Sequence, residues 1–140
     1  MKNVYTWAAK PAKRSTTVGD LKAAKGKKKF TQVTANTVDE AAAAEKAGFD
    51  MIIANAKNII PVREGSKNLF LTAALVLNEF VTADDIMRGA FKALENGADA
   101  VMTPRSMDIV EMLAKEDVPV MGHLGFCLLY TSPSPRDYPG

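Results

Sequence analysis

The 140-residue sequence contains one cysteine and one histidine, Cys127 and His123. A single cysteine excludes an internal disulfide framework and any metal site built from several cysteines. No apolar run approaches the roughly 18 residues of a membrane-spanning helix, and residues 1–7 lack the apolar core of a secretory signal. Neither Gly-x-Gly-x-x-Gly nor Gly-x-x-x-x-Gly-Lys occurs, which counts against a nucleotide-binding doubly wound domain. We therefore expect a soluble, cytoplasmic protein of another class, with no membrane partner.

Positive charge is concentrated in the first part of the chain. Residues 1–30 contain nine Lys or Arg and a single acid, Asp20, a balance of +8, whereas the rest of the chain carries −6. The run Lys27-Lys28-Lys29 is compatible with a nucleic-acid or other anionic partner. It has no interleaved aromatic residues and no nucleic-acid motif, so we interpret it as a solvated segment before the first strand. A nucleic-acid partner is not expected.

The hydrophobic pattern alternates between short apolar runs and helical periods. Strands are predicted at residues 30–34, 50–54, 69–75, 99–102 and 118–121, and helices at 18–25, 37–47, 82–96 and 107–114, with a helical turn at 61–63. The threonines Thr17, Thr37 and Thr82 are suited to cap three of the helices. This β-α order predicts a parallel α/β sheet. About five strands are too few for a closed eight-stranded barrel.

The last predicted strand leads into Gly122-His123-Leu124-Gly125. In α/β barrels the chemistry lies at the carboxyl ends of the strands, so His123 is a candidate catalytic residue. A structural histidine, hydrogen-bonded beneath a loop, is the alternative. Both interpretations stay open on the sequence.

The C-terminal stretch does not resemble an ordinary protein segment. Residues 127–137, Cys-Leu-Leu-Tyr-Thr-Ser-Pro-Ser-Pro-Arg-Asp, match in frame the translation of a transposase-type sequencing adapter. A natural disordered tail is the alternative that its composition permits. We expect three segments. A loosely ordered basic arm at residues 1–16, in which Trp7 is anchored, is followed by one domain at residues 17–126 and by a non-native tail at residues 127–140.

That domain resembles the ketopantoate (3-methyl-2-oxobutanoate) hydroxymethyltransferase family. The matching pieces are Thr-Val-Gly-Asp-Leu-Lys at 17–22, Thr-Ala at 34–35, Glu-Lys-Ala-Gly at 45–48, Asn-Gly-Ala-Asp-Ala-Val at 96–101 and Val-Pro-Val-Met-Gly-His-Leu-Gly-Phe at 118–126. The last piece is the most specific. The resemblance implies the N-terminal part, about five strands, of a (β/α)₈ TIM barrel of the phosphoenolpyruvate mutase and isocitrate lyase type.

The family resemblance also implies a function. The family transfers a hydroxymethyl group from methylene-tetrahydrofolate to a small α-keto acid in pantothenate and coenzyme A biosynthesis, with Mg²⁺ chelating the keto acid. Its members form oligomers, so a homo-oligomer is expected for a full-length protein. Of the family's polar residues in this part of the barrel, His123 is in place.

Several family site positions are substituted in this sequence. The family's Gly-Asp-Ser after strand two falls on residues 55–57, its Ala-Asp-Leu-Pro after strand three on residues 73–76, and its Val-Lys-Ile-Glu-Gly-Gly at strand four on residues 101–106. The substituted positions are Ala56, Ala74, Met102 and Pro104. Alanine offers no ligand atom, so metal binding is in doubt and no metal ligand is assigned. The segment between strands two and three is also shorter here than in the family.

Other polar residues follow the predicted strands. Candidate substrate-binding residues are Asn55, Lys57, Glu79 and Arg105. Lys57 and Arg105 could hold a carboxylate, and Glu79 could replace a lost acid. The alternative is that all of them are ordinary solvated loop residues.

Three functional hypotheses follow from the sequence. The first is a divergent hydroxymethyltransferase-like enzyme acting on a small keto acid. The second is a non-catalytic paralogue that binds a small acid or a related barrel subunit. The third, a nucleic-acid role for the basic arm, is the least supported.

Overall fold

The structure is a computed structural model that describes residues 1–123. The predicted adapter-like tail and the end of the His-containing motif, Leu124 to Phe126, lie outside the described residues. The elements are β1 (Lys2–Tyr5), β2 (Pro11–Arg14), α1 (Val18–Ala23), β3 (Gln32–Thr34), α2 (Val38–Ala47), β4 (Met51–Asn55), a 3₁₀ turn (Ala56–Asn58), α3 (Ile59–Gly65), β5 (Phe70–Ala74), α4 (Ala83–Glu95), β6 (Ala100–Thr103), α5 (Met107–Lys115) and β7 (Val120–Gly122).

Strands β3 to β7 form one parallel sheet in the order of the sequence, β3-β4-β5-β6-β7. A doubly wound domain would reverse its strand order within the sheet, and this sheet does not. Each new strand is added beside the previous one, as in a barrel. The predicted α/β fold, with about five strands of a barrel, is confirmed. Its assignment to the phosphoenolpyruvate mutase and isocitrate lyase type stays a prediction.

The two faces of the sheet are covered differently. Helices α2 to α5 pack on the outer face, where the main core contains Ile52, Leu71 and Val101 from the strands. The inner face carries a smaller cluster of Met51, Phe70 and Ala100, against which α1 packs. Helix α1 therefore covers the inner face at the amino ends of the strands, and the carboxyl ends are left as the mouth of the partial barrel.

The N-terminal residues are more regular than the sequence suggests. Residues 2–5 and 11–14 pair as an antiparallel hairpin, so the prediction of a loosely ordered arm is wrong. Strands of four residues have too weak a pattern to be recognised alone, and this hairpin is held by tertiary contacts. Trp7 stacks on Phe91 with ring centroids 5.5 Å apart, which confirms its predicted anchoring. The division of the chain into three segments otherwise stays a prediction.

The three threonine caps are confirmed. The hydroxyl oxygens of Thr17, Thr37 and Thr82 each accept a hydrogen bond from the backbone N–H three residues later. At α4 the N3 carboxylate of Asp85 accepts the backbone N–H of Thr82 in return, and these hydrogen bonds lower the pKa of Asp85. Local sequence signals therefore fixed where these helices begin.

The connection between β4 and β5 holds more helix than the single turn predicted. It contains the 3₁₀ turn and the seven-residue helix α3. A Cβ added to Gly65 would lie 2.1 Å from the carbonyl oxygen of Val38, so glycine lets α3 approach α2 closely. Small residues on both helices thus make a compact crossover possible.

No helix among residues 1–123 is long and apolar enough to cross a membrane.

Candidate functional site

Strand register places four residues side by side at the mouth. Asn55 pairs with Ala74, Ala74 with Met102, and Met102 with Met121. Alternate residues of a strand face the same side of the sheet. Phe70 belongs to the inner cluster, so Ala74, four residues later on β5, also faces inward. We call Asn55, Ala74, Met102 and Met121 the mouth row. It is the last complete inward-facing layer before the strands end.

The donor atoms of the mouth row do not fit the Mg²⁺ that the family resemblance implies. Magnesium prefers carboxylate oxygens and water in octahedral geometry. The mouth row offers one side-chain oxygen, Asn55 Oδ1, and this atom accepts a hydrogen bond from the backbone N–H of Lys57 at 3.1 Å. Residues 1–123 contain no group of three or more His, Cys, Asp or Glu side chains placed to hold a metal ion.

The four substituted positions lie at or just after the carboxyl ends of β4, β5 and β6. Ala74 and Met102 are in the mouth row, Ala56 begins the 3₁₀ turn after β4, and Pro104 follows β6. Ala74 and Met102 therefore present a methyl group and a thioether to the mouth. Restoring a carboxylate there would require a change of residue, since no rotamer of either side chain supplies an oxygen.

A second asparagine, Asn36, shapes the mouth beside β4. Its Oδ1 accepts hydrogen bonds from the backbone N–H of Asn55 at 2.8 Å and from Asn58 Nδ2 at 3.1 Å. Its own backbone N–H donates to Glu40 Oε2 at 2.7 Å. Sequence reasoning missed Asn36. The available signal was an asparagine directly after a strand and before the Thr37 cap, a position where side chains commonly bond nearby backbone.

Three of the predicted substrate-binding residues meet at the loop between β5 and α4. Lys57 Nζ lies 3.5 Å from Glu79 Oε1. On the other side of the loop, Arg105 Nη1 donates to the carbonyl oxygens of Phe80 at 3.3 Å and Val81 at 2.8 Å. The loop is thus tied to the turn after β4 by Lys57 and to the segment after β6 by Arg105. Asn55 is the last residue of β4, two residues before Lys57, so all four candidates lie at or after the carboxyl ends of β4, β5 and β6.

His123 lies at the same edge of the sheet but on another strand. It directly follows β7, which pairs with β6. Two strands separate β7 from β4, so at about 4.8 Å per strand its backbone is on the order of 14 Å from that of Asn55. Its neighbour Gly122 pairs with Thr103, two residues before Arg105, so His123 lies nearer to the segment after β6 than to the end of β4. Its catalytic role stays a prediction.

The most extensive ionic cluster lies at the opposite end of the sheet. The Asp99 carboxylate accepts hydrogen bonds from Arg14 Nε at 2.9 Å, Arg63 Nη2 at 2.8 Å and the Leu71 backbone N–H at 2.9 Å. Burial lowers the pKa of Arg63 to about 10, opposed by the charge of Asp99, so the guanidinium stays charged at neutral pH. At the amino ends of barrel strands such a cluster serves stability.

Several proteins named 3-methyl-2-oxobutanoate hydroxymethyltransferase are similar in sequence to this chain. The chain is 32% identical to the 3-methyl-2-oxobutanoate hydroxymethyltransferase of Kosmotoga olearia, over 72% of this chain and 47% of that protein. It is 31% identical to the Pyrococcus furiosus protein of the same name, over 72% and 44%, and 41% identical to the Deinococcus radiodurans one, over 46% and 25%. The chain is a homologue of the 3-methyl-2-oxobutanoate hydroxymethyltransferases. No protein-family model matches it.

Among solved structures, the chain is similar to a rubisco-like protein from Burkholderia fungorum. The TM-score is 0.51 at 16% identity, over 80% of this chain and 35% of that chain. At this identity the similarity shows the fold alone. It agrees with the sequential parallel sheet described above.

The hydroxymethyltransferase homologues are longer than this chain, which spans about half the length of the Kosmotoga and Pyrococcus proteins and a quarter of the Deinococcus one. The alignment with the Kosmotoga protein extends over 126 residues. It includes 72% of the 140 residues of this chain, about 101, so roughly 25 aligned positions have no counterpart in this chain. A difference of this size is what a shortened connection between β4 and β5 would produce. That location stays a prediction.

Proposed function

We propose that this chain is part of a hydroxymethyltransferase-like protein whose mouth binds a small α-keto acid. Homology supports the family, and the pairing of Lys57 with Glu79 beside Arg105 supports an anion site at this edge. The observation that carries the proposal is that side chains from three successive strand ends, after β4, β5 and β6, meet around one loop. Strand ends that converge in this way are where barrel enzymes bind their ligands.

The proposed roles follow from the chemistry of each side chain. Arg105 has a planar guanidinium suited to a carboxylate, and Lys57 supplies a second positive charge. Asn55 is in the mouth row, where its amide can contact the ligand's keto oxygen. Hydroxymethyl transfer involving 3-methyl-2-oxobutanoate is the activity that the homologues' name suggests, and methylene-tetrahydrofolate is the donor that the family resemblance implies. No described residue is assigned to the folate, and no step is assigned to a metal, because the mouth row does not fit one.

Calorimetry on the full-length protein tests the proposal. We expect saturable binding of α-ketoisovalerate and much weaker binding of its uncharged methyl ester, because the ester cannot form charge-assisted hydrogen bonds with Lys57 and Arg105. Equal binding of the acid and the ester, or binding of neither, would remove the proposal.

The mouth row also favours a second candidate, a non-catalytic paralogue that binds a small acid or joins a related barrel subunit. Ala74 and Met102 stand where a carboxylate would be needed. Turnover of α-ketoisovalerate with methylene-tetrahydrofolate by the purified full-length protein distinguishes the candidates. Turnover supports the transferase, whereas acid binding without turnover supports the paralogue. The homo-oligomer and the cytoplasmic location stay predictions.

A further inference from the structure

The residues around the mouth leave positively charged donors available. Among the described residues, Arg105 uses Nη1 for the loop carbonyls, while its Nε and Nη2 groups make no hydrogen bond. The Lys57 side chain is 64% exposed and forms an ion pair with Glu79. Two cationic side chains, Lys57 and Arg105, therefore follow β4 and β6, two of the strands that supply the mouth row. The row itself contributes one amide and three uncharged apolar side chains.

The contact between Lys57 and Glu79 is a weak one. The two charged atoms are 3.5 Å apart, and both side chains are at least one-third exposed at 64% and 35%. An exposed ion pair of this kind contributes little net stability, since water competes for both partners. An incoming carboxylate can therefore displace Glu79 from Lys57 at small cost.

We propose that the mouth binds the keto acid without a divalent cation, with Lys57 and Arg105 supplying the positive charge and Lys57 exchanging Glu79 for the ligand's carboxylate. This inference rests on the proposed function, acid binding at the mouth. It follows from two independent observations, the unsuitable donor atoms of the mouth row and the two cations, Lys57 and Arg105, in the segments that follow β4 and β6. Arg105 also donates hydrogen bonds to the backbone carbonyls of Phe80 and Val81, in the loop that carries Glu79. The exchange at Lys57 therefore takes place beside a loop whose backbone Arg105 holds in position.

The first experiment compares binding of α-ketoisovalerate to the full-length protein in EDTA and in excess Mg²⁺. The proposal expects the same dissociation constant, within about twofold, in both buffers, because the charge comes from side chains. An affinity that rises tenfold or more with Mg²⁺ would overturn the metal-free site but keep the proposed function. Binding in neither buffer would overturn both.

The second experiment uses variants of the ion pair. Lys57→Ala should weaken binding about tenfold, since one charge-assisted hydrogen bond is lost. Glu79→Gln should tighten binding about two- to fivefold, since the internal competitor loses its charge. If Glu79 instead contacts the ligand or holds a metal, Glu79→Gln weakens binding, which contradicts the exchange.

The exposed pair Lys92–Glu95 on α4 is the matched control, with a separation of 4.0 Å. Lys92→Ala and Glu95→Gln change net charge by the same amounts and should leave the affinity unchanged. A shift as large as that of Lys57→Ala would show that overall charge alone governs binding, and would overturn the assignment to Lys57. Arg105→Lys, which keeps the charge but loses the guanidinium geometry, should weaken binding about tenfold.

Discussion

At the scale of single residues, Asp99 connects three parts of the fold. Its carboxylate accepts from Arg14 of the hairpin, Arg63 of α3 and the backbone of β5. Arg14 is 4% exposed, so removing the carboxylate's charge leaves a buried guanidinium without its counter-charge. Asp99→Asn should lower the free energy of unfolding by about 3–5 kcal/mol, measured by urea denaturation of the full-length protein.

The control for Asp99→Asn is Glu111→Gln, which breaks the exposed pair between Glu111 and Lys115 on α5. That change should cost about 0–0.5 kcal/mol, since water already screens the pair. Similar losses for the two variants would show that the Asp99 cluster contributes no more than a surface ion pair.

At the scale of secondary-structure elements, the approach of α3 to α2 depends on Gly65. A Cβ added at Gly65 would lie 2.1 Å from the Val38 carbonyl oxygen, which leaves no room for a side chain. Gly65→Ala must push the two helices apart and should cost about 1–3 kcal/mol of unfolding free energy. Thermal and urea denaturation of the full-length protein measure the loss.

Gly19 is the matched glycine for this test, because an added Cβ there would meet no atom closer than 3.7 Å. Gly19→Ala in α1 should be neutral or stabilise by up to about 1 kcal/mol, since alanine favours helix. If Gly65→Ala were as mild as Gly19→Ala, the close approach would not limit the crossover.

At the scale of the whole molecule, the sheet has an open side among the described residues. A groove of about 620 Å³ runs between α1 and β7, lined by residues that include Leu21, Phe70 and Met121. Among residues 1–123, β7 is the last strand of the sheet, and an edge without a partner strand beside exposed apolar surface promotes association. The 140-residue chain by itself should therefore self-associate, as measured by light scattering after gel filtration.

Charge at the open edge should oppose this association. Met121→Glu places a carboxylate beside the groove and should reduce self-association. Ile60→Glu, which changes an exposed residue on α3, should not. A monodisperse monomer that melts cooperatively, formed by the unmodified 140-residue chain, would contradict the prediction.

Much of the fold and part of the site could be predicted from sequence because the signals are local. Threonine caps at Thr17, Thr37 and Thr82 and apolar runs fixed the helices and strands, and strand ends pointed to Asn55, Lys57 and Arg105. The hairpin was missed because its two strands have only four residues each. Asn36 was missed because its partners Asn55 and Asn58 are distant in sequence. Such contacts leave no periodic pattern to detect.

The sequence by itself determined the order of strands and helices, the absence of acids at positions 56 and 74, and the kinship with hydroxymethyltransferases. Only the tertiary structure decided that Ala74 and Met102 share a row with Asn55 and that Glu79 pairs with Lys57. The physical reason is that local backbone preferences act within a few residues, whereas strand register and side-chain pairing are set by packing between segments far apart in the chain.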